Sequence, residues 1–295
     1  MAAWVSIFVF LWSWVGPVLH AQTSAIRGTS LDIDLYGNLY ILDAGENTVK
    51  LLGPDRKVLA AMGGAGWENG RFDRPSGIWA RNGMDIFVAD YGNHRVQRFD
   101  RGLTFVSSLS TRDSDQPGQR FGYPSDVALS RMGDLFICDT ENQRIAKVNS
   151  QNKVELSMGG FDAGMGRLYR PTRLDIGPQD HVYVLDGRRV MVYDMFGNFL
   201  HELYQGMFTG PSFLFADADR VMVLDDSTVY CFDAEERPAA VLQIHSLPGM
   251  TDAKIQGFAA NNEQIFFLAE TGLVSFPNPC GRDKMDRIDK EEKSR

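Results

Sequence analysis

The chain has 295 residues with 30 Lys and Arg against 38 Asp and Glu, a formal net charge of −8, 44% hydrophobic residues and only three cysteines. That length allows one sizeable domain, the acidic balance argues against a nucleic-acid partner, and three cysteines do not make a disulfide framework. The charge lies entirely beyond residue 25, because residues 1–25 contain no Asp, Glu, Lys or Arg.

From Trp4 to Leu19 the chain is apolar, and Leu19-His20-Ala21 places a small residue before Gln22. Residues 1–21 therefore read as a secretory signal peptide cut after Ala21. An uncleaved anchor is the alternative, but the run is short for a membrane span and contains Gly16-Pro17. The expected location is secreted or periplasmic, with no stable membrane span after cleavage.

Beyond this segment one pattern recurs. Pro75, Pro124, Pro171 and Pro211 each begin Pro-Ser/Thr-x-aliphatic, and 14 or 15 residues later Asp90, Asp139, Asp186 and Asp225 close an apolar run. Gly37 and Gly133, Asp43 and Asp139, Lys57 and Lys153, and Pro75 and Pro171 are all 96 residues apart, so the first copies match without insertion. Within 75–122, IWAR, DIFVAD, RVQRFD and TFVSSLS read as four short strands, joined by turn residues at Asn82-Gly83, Tyr91-Gly92-Asn93 and Arg101-Gly102. A repeated four-stranded meander of this length is the signature of a propeller blade. Counting second strands at 38–43, 85–90, 134–139, 181–186, 220–225 and 264–269 gives six. The fold expected is all-β, a six-bladed β-propeller of four-stranded antiparallel blades over residues 22–277.

VADYGNHRVQRF (88–99) after PSGI resembles an NHL repeat, and LDAGENTVKLL (42–52) and CDTENQRIAKV (138–148) are similar to it. The resemblance implies a six-bladed propeller used chiefly as a binding platform, with a few relatives that are metal-dependent lyases or lactonases. It is strongest in blades one to three.

Blade six supplies three strands, so residues near 23–28 are expected to complete its outer edge. The charged stretch 278–295 reads as a solvated, disordered tail. Cys138 and Cys231 fall inside strands and read as small buried hydrophobes; Cys280 could pair with Cys231, but the reading adopted leaves it unpaired.

Function is expected on the face that carries the loops from second to third strand and the loops leading into each first strand. The candidate binding residues there are Arg71, Arg74, His94, Arg120, Tyr123, Arg167, Tyr169 and Arg170. Guanidinium and aromatic groups together suit a protein or peptide partner, or a carboxylate ligand. Arg95 and Arg144, by contrast, read as structural partners of Asp90 and Asp139. Along the innermost strands Asp32, Asp126, Arg173 and Asp175 ring the axis. The three carboxylates could hold Ca²⁺, although an Asp126–Arg173 salt bridge between blades is the simpler account. His94, His181, His201 and His245 scatter and are not expected to meet, which argues against a zinc site. The reading is an exported, monomeric binding module with no cofactor and no catalytic residue; a Ca- or Zn-dependent lyase or lactonase is the alternative, and a structural module of a larger envelope assembly a third possibility.

Overall fold

A computed structural model describes residues 26–281. They form six antiparallel sheets, each in simple meander order. Blade one contains β1 (Ser30–Ile33), β2 (Leu39–Asp43), β3 (Thr48–Leu52) and β4 (Val58–Gly63). Blade two contains β5 (Gly77–Trp79), β6 (Asp85–Asp90), β7 (Arg95–Asp100) and β8 (Phe105–Leu109). Blade three contains β9 (Pro124–Leu129), β10 (Leu135–Asp139), β11 (Arg144–Val148) and β12 (Val154–Met158). Blade four contains β13 (Pro171–Ile176), β14 (Val182–Asp186), β15 (Arg189–Tyr193) and β16 (Phe199–Glu202). Blade five contains β17 (Pro211–Ala216), β18 (Arg220–Asp225), β19 (Thr228–Asp233) and β20 (Pro238–Gln243). Blade six contains β21 (Ile255–Ala260), β22 (Gln264–Ala269) and β23 (Gly272–Pro277), and has no fourth strand among the described residues.

The closing aspartate sets each blade's register. It pairs with the first residue of the third strand, as Asp43 with Thr48, Asp90 with Arg95 and Asp139 with Arg144. In blades four and five the same pairs are Asp186 with Arg189 and Asp225 with Thr228, a loop two residues shorter. On the far face, an Asp or Asn accepts two backbone N–H groups in the turn that follows it. Asp34 does so for Tyr36 and Asn38, Asp100 for Gly102 and Thr104, and Asp194 for Phe196 and Asn198. These Asx turns explain why Asp and Asn punctuate the sequence there. The positive φ in the last turn of blade two falls on Leu103, one residue after Gly102.

Second strands are buried on both faces, because each sheet is covered by its two neighbours; β2, β10, β14 and β18 have no exposed residue. The ring closes where Leu31, Ile33 and Ile41 of blade one meet Ala259, Phe266 and Leu268 of blade six, with Ile26 added to the same cluster. Fully burying each large aliphatic or aromatic side chain contributes about 1.5–3 kcal/mol, and this cluster holds the seam. Arg56 adds a second tie, stacking 4.6 Å from the centre of the Phe266 ring and donating to Gln264 Oε1 at 3.1 Å. Residues 26–28 are not a strand, contrary to expectation; residues 22–25 and the stretch 1–21, read above as a signal peptide, lie outside the described residues.

The fold also corrects the reading of the cysteines and of the tail. Cys231 in β19 is disulfide-bonded to Cys280, 49 residues away, while Cys138 is buried and free as expected. The packed domain runs past Pro277: Asn278 and Cys280 are buried, and Asn278 donates to Asn261 O at 2.6 Å. Beneath them Arg220, only 1% exposed, donates to Cys280 O at 2.6 Å, Asn262 Oδ1 at 2.6 Å and Asp217 Oδ2 at 2.8 Å. The rest of the tail, 282–295, is outside the described residues.

Candidate functional site

The buried closing aspartates organise the loop face. Asp90 accepts the Asp73 N–H at 2.8 Å and the Arg95 Nε–H at 2.7 Å, and Asp139 accepts the Gly122 N–H at 3.0 Å and the Arg144 Nε–H at 2.8 Å. Asp186 takes the Tyr169 and Arg170 N–H groups and Arg189, and Asp225 takes Gly210 at 2.6 Å. One carboxylate thus fixes both the loop leading into a blade and the loop leaving its second strand. Arg95 and Arg144 are structural, as expected. Their remaining N–H groups satisfy carbonyls of the lead-in loops, Arg71 O at 2.8 Å and Arg120 O at 2.7 Å.

A second device links consecutive blades. Arg74 and Tyr123, each just before a first-strand proline, adopt positive φ of 49° and 47°, as do Asn47 and His94 before the third strands, at 56° and 51°. The Arg74 N–H donates to Asn47 Oδ1 at 2.7 Å and the Tyr123 N–H to His94 Nδ1 at 3.1 Å. Each of these two hydrogen bonds thus joins a residue at positive φ to a residue at positive φ in the preceding blade.

The side chains left at the surface make two clusters. At the seam of blades two and three, Arg74 lies 5.7 Å from the Tyr91 ring centre, Tyr91 5.1 Å from Tyr123, and Tyr123 4.0 Å from His94 and 5.9 Å from Arg112. Arg112 also reaches Glu141 at 3.1 Å. Leading into blade four, Arg167 sits 4.4 Å from the Phe161 ring and 5.1 Å from Tyr169, and Arg189 lies 5.3 Å from Tyr169. Arg71 and Arg120 are exposed but donate to nearby loop carbonyls, Gly63 O at 2.8 Å and Ser114 O at 2.6 Å. Tyr91, Arg112, Phe161 and Arg189 are the participants that sequence reasoning missed. Tyr91, Arg112 and Phe161 each stand once in a loop, where no repeat position marks them, whereas Arg189 opens β15 at the position paired with the closing aspartate.

His94 is held below the ordinary histidine value of about 6.5, first by partial burial and then by the Arg112 guanidinium. Its Nδ1 must stay unprotonated to accept the Tyr123 N–H. A depressed pKa contributes stability above pH 6.5 that is lost as pH falls through the folded-state value. In an NMR titration the His94 ring should titrate below pH 6.5, with the Tyr123 amide resonance moving in step; a midpoint at or above 6.5 would contradict this geometry.

The axis is closed by two arginines. Arg81, at the end of blade two's first strand, donates to Asp32 at 3.2 Å, to Asp175 at 2.9 Å and to Ala216 O, and stacks 4.4 Å from the Phe215 ring. Burial works against its charge, but Asp175 and Asp32 more than offset that and hold the guanidinium above its ordinary value. Arg173 crosses from blade four to Ser30 Oγ and Ser76 O, both at 3.3 Å, over the Phe213 ring. The expected Asp126–Arg173 salt bridge is replaced by another contact: Asp126 accepts the Leu174 N–H at 3.2 Å. Asp32 and Asp175 do the same for Ala80 at 2.9 Å and Ala216 at 2.6 Å, so each inner aspartate clamps the next blade's backbone. Gly77 is required here, since a Cβ would come within 2.3 Å of Asp126 Oδ1. Burial raises the Asp126 carboxyl to about 6. The space left between these groups is about 30 Å³, enough for water but not for a substrate.

These carboxylates do not fit a divalent metal. A guanidinium occupies the place between Asp32 and Asp175, and Asp126 is shifted toward its neutral acid. The histidines, however, are not scattered as expected. His201 Nε2 lies 2.5 Å from Glu236 Oε2 and His181 Nδ1 3.9 Å from Oε1, with the Tyr183 hydroxyl donating to Oε1 at 2.7 Å. This links blades four and five. Among the described residues no three His, Cys, Asp or Glu side chains are placed to hold a metal ion.

The fold and loop face together define a six-bladed β-propeller. Two stretches, 72–99 in blade two and 121–148 in blade three, match the NHL repeat. The chain is 30% identical over 147 residues to "Protein brain tumor" of Drosophila melanogaster, a match covering 48% of this chain and 13% of that protein. It is 29% identical over 111 residues to "Probable peptidyl-alpha-hydroxyglycine alpha-amidating lyase pgal-1" of Caenorhabditis elegans, covering 36% of this chain and 30% of that protein. The alignments thus span less than a third of the length of these curated relatives. Among solved structures, a streptogramin B lyase is similar with a TM-score of 0.58 at 12% identity, covering 84% of this chain and 78% of the other. The extracellular domain of the putative hybrid two component system BT4673 from B. thetaiotaomicron gives 0.55 at 11% identity, covering 86% of this chain and 34% of the other. At such identities the structural likeness concerns the fold alone.

Proposed function

We propose that the protein is an exported, monomeric binding module that takes a protein or peptide partner on the loop face of blades one to three and the loop leading into blade four. The observation that carries this reading is the Arg74–Tyr91–Tyr123–Arg112 cluster, in which exposed guanidinium groups lie against aromatic rings and the Arg74 and Tyr123 backbone, at positive φ, is hydrogen-bonded to the preceding blade. Rigid aromatic and arginine side chains supply contact area at low entropic cost, which is why they dominate interface energetics. Export is supported by the apolar segment 4–19 and by the buried Cys231–Cys280 disulfide, since such bonds persist in oxidising compartments. The acidic charge of −8 favours a protein or peptide over nucleic acid.

A photo-crosslinking residue placed at position 123 should capture a discrete partner from the source envelope fraction, and one at exposed Met132 on the far face should not. Arg74→Ala with Arg170→Ala should weaken capture at least tenfold without changing the melting temperature. The competing lyase reading predicts instead a bound divalent ion and a turnover that falls when Asp32, Asp126 or Asp175 is replaced. Such a result, with no adduct at 123, would displace the binding reading.

A further inference from the structure

The blade-four corner of the loop face carries more guanidinium than carboxylate groups, against the overall charge of −8. Its lead-in loop exposes Phe161 by 76% and Tyr169 by 53%, an apolar pair held on either side of the Arg167 guanidinium. Arg167 is in no ion pair among the described residues, and its Nε–H is buried without an acceptor. Arg170 follows Tyr169 and Arg188 precedes Arg189, whose guanidinium lies against the Tyr169 ring; both are exposed and in no ion pair among the described residues. Asp186 is already committed to two backbone N–H groups and Arg189, and the lead-in loop 161–170 carries a single acid, exposed Asp162, beside three guanidinium groups in no ion pair. At physiological ionic strength charges beyond about 8 Å are screened, so a ligand docked here meets this local excess rather than the overall negative charge.

We infer that this corner is a docking point for an acidic peptide segment, its carboxylates forked by Arg167, Arg170 and Arg188 and an apolar side chain lying against Phe161 and Tyr169. The inference rests on the binding reading above and gives it a partner chemistry. Planar guanidinium groups engage carboxylates through two parallel hydrogen bonds, and desolvation against the rings strengthens each one. A basic or neutral peptide gains nothing from the three free arginines, and this sets the specificity.

The test is fluorescence anisotropy with labelled twelve-residue peptides of alternating Glu and Phe, alternating Gln and Phe, and alternating Lys and Phe, together with a twelve-base oligothymidylate. The Glu–Phe peptide should bind, the Gln–Phe and Lys–Phe peptides at least tenfold more weakly, and affinity should drop steeply between 50 and 300 mM salt as a charge-driven contact requires (on the order of tenfold or more). Arg170→Glu with Arg188→Glu, and separately Phe161→Ala, should each cost at least tenfold. These residues are exposed, so unchanged circular dichroism and melting would exclude a folding defect. Equal binding of Glu–Phe and Gln–Phe, preference for the oligonucleotide, no binding of any probe, or a loss confined to Arg74→Ala would each overturn the inference. Capture through position 123 would survive all of these, and its own failure is read separately.

Discussion

Replacing Arg81 by methionine is expected to cost about 3–5 kcal/mol of folding stability, the range for removing one partner of a buried charge network. Methionine keeps most of the stem that packs on Phe215, so the loss isolates the guanidinium. Asp32 and Asp175 would remain nine-tenths or more buried, each holding one backbone N–H from the next blade but no counter-charge. Urea unfolding at neutral pH measures the loss. The sign of the pH dependence is a second check: burial already raises the Asp175 carboxyl to about 7 beside Arg81, so losing the guanidinium raises it further, and the deficit should shrink as pH falls from neutral and Asp175 of the variant takes up its proton. Adding Asp175→Asn to Arg81→Met should recover part of the stability, a non-additivity expected of groups in one network. A loss below about 1 kcal/mol would mean that the axis is held by packing and by the aspartate-to-backbone clamps, with Arg81 a bystander.

Arg81 also shows how far this sequence can be read. The repeat was legible because blades two to five share the same parts at nearly the same spacing: a proline leading into the inner strand, an apolar second strand buried on both faces, an aspartate to tie two loops. Asp90, Asp139, Asp186 and Asp225 keep that role in the structure, and Arg95 and Arg144 fill the structural place expected of them. What repetition signals, it also conceals. Arg81 stands six residues after Pro75, where the other inner strands carry Ser130, Gly177 and Asp217, so a reading built on common positions passes over it. The histidine pair failed for a different reason. His181 opens β14 and His201 lies in β16, strands separated in the sheet by β15, yet both side chains leave the blade toward Glu236 of blade five. The candidate surface was legible as residue types in loops; which arginines are committed to local contacts was not. Arg71 and Arg120 spend their guanidinium groups on local carbonyls that only the folded loops reveal.

Removing the Cys231–Cys280 disulfide should lower stability by about 4 kcal/mol, since closing a loop of 49 residues restricts the unfolded chain by about that much in the chain-entropy account. The bond does more than shorten a loop. It fixes residues 278–281 against blade five, where Cys280 O accepts from buried Arg220, and it lies just beyond β23, the outermost strand of blade six among the described residues. Releasing the tail would leave Arg220 with one fewer acceptor and free the segment that follows β23, whose outer edge has no partner strand among the described residues and can pair with another chain. Cys231→Ser with Cys280→Ser, or reduction of the wild type, should therefore lower the denaturation midpoint and promote self-association at concentrations where the oxidised protein stays monomeric. Light scattering and denaturant titration with and without reductant separate the two effects. Cys280→Ala alone should match the double variant, because either change frees the same segment. If reduction changes neither quantity, the tail is held by Asn278 and Arg220, and the disulfide no longer supports an oxidising compartment as the protein's working environment.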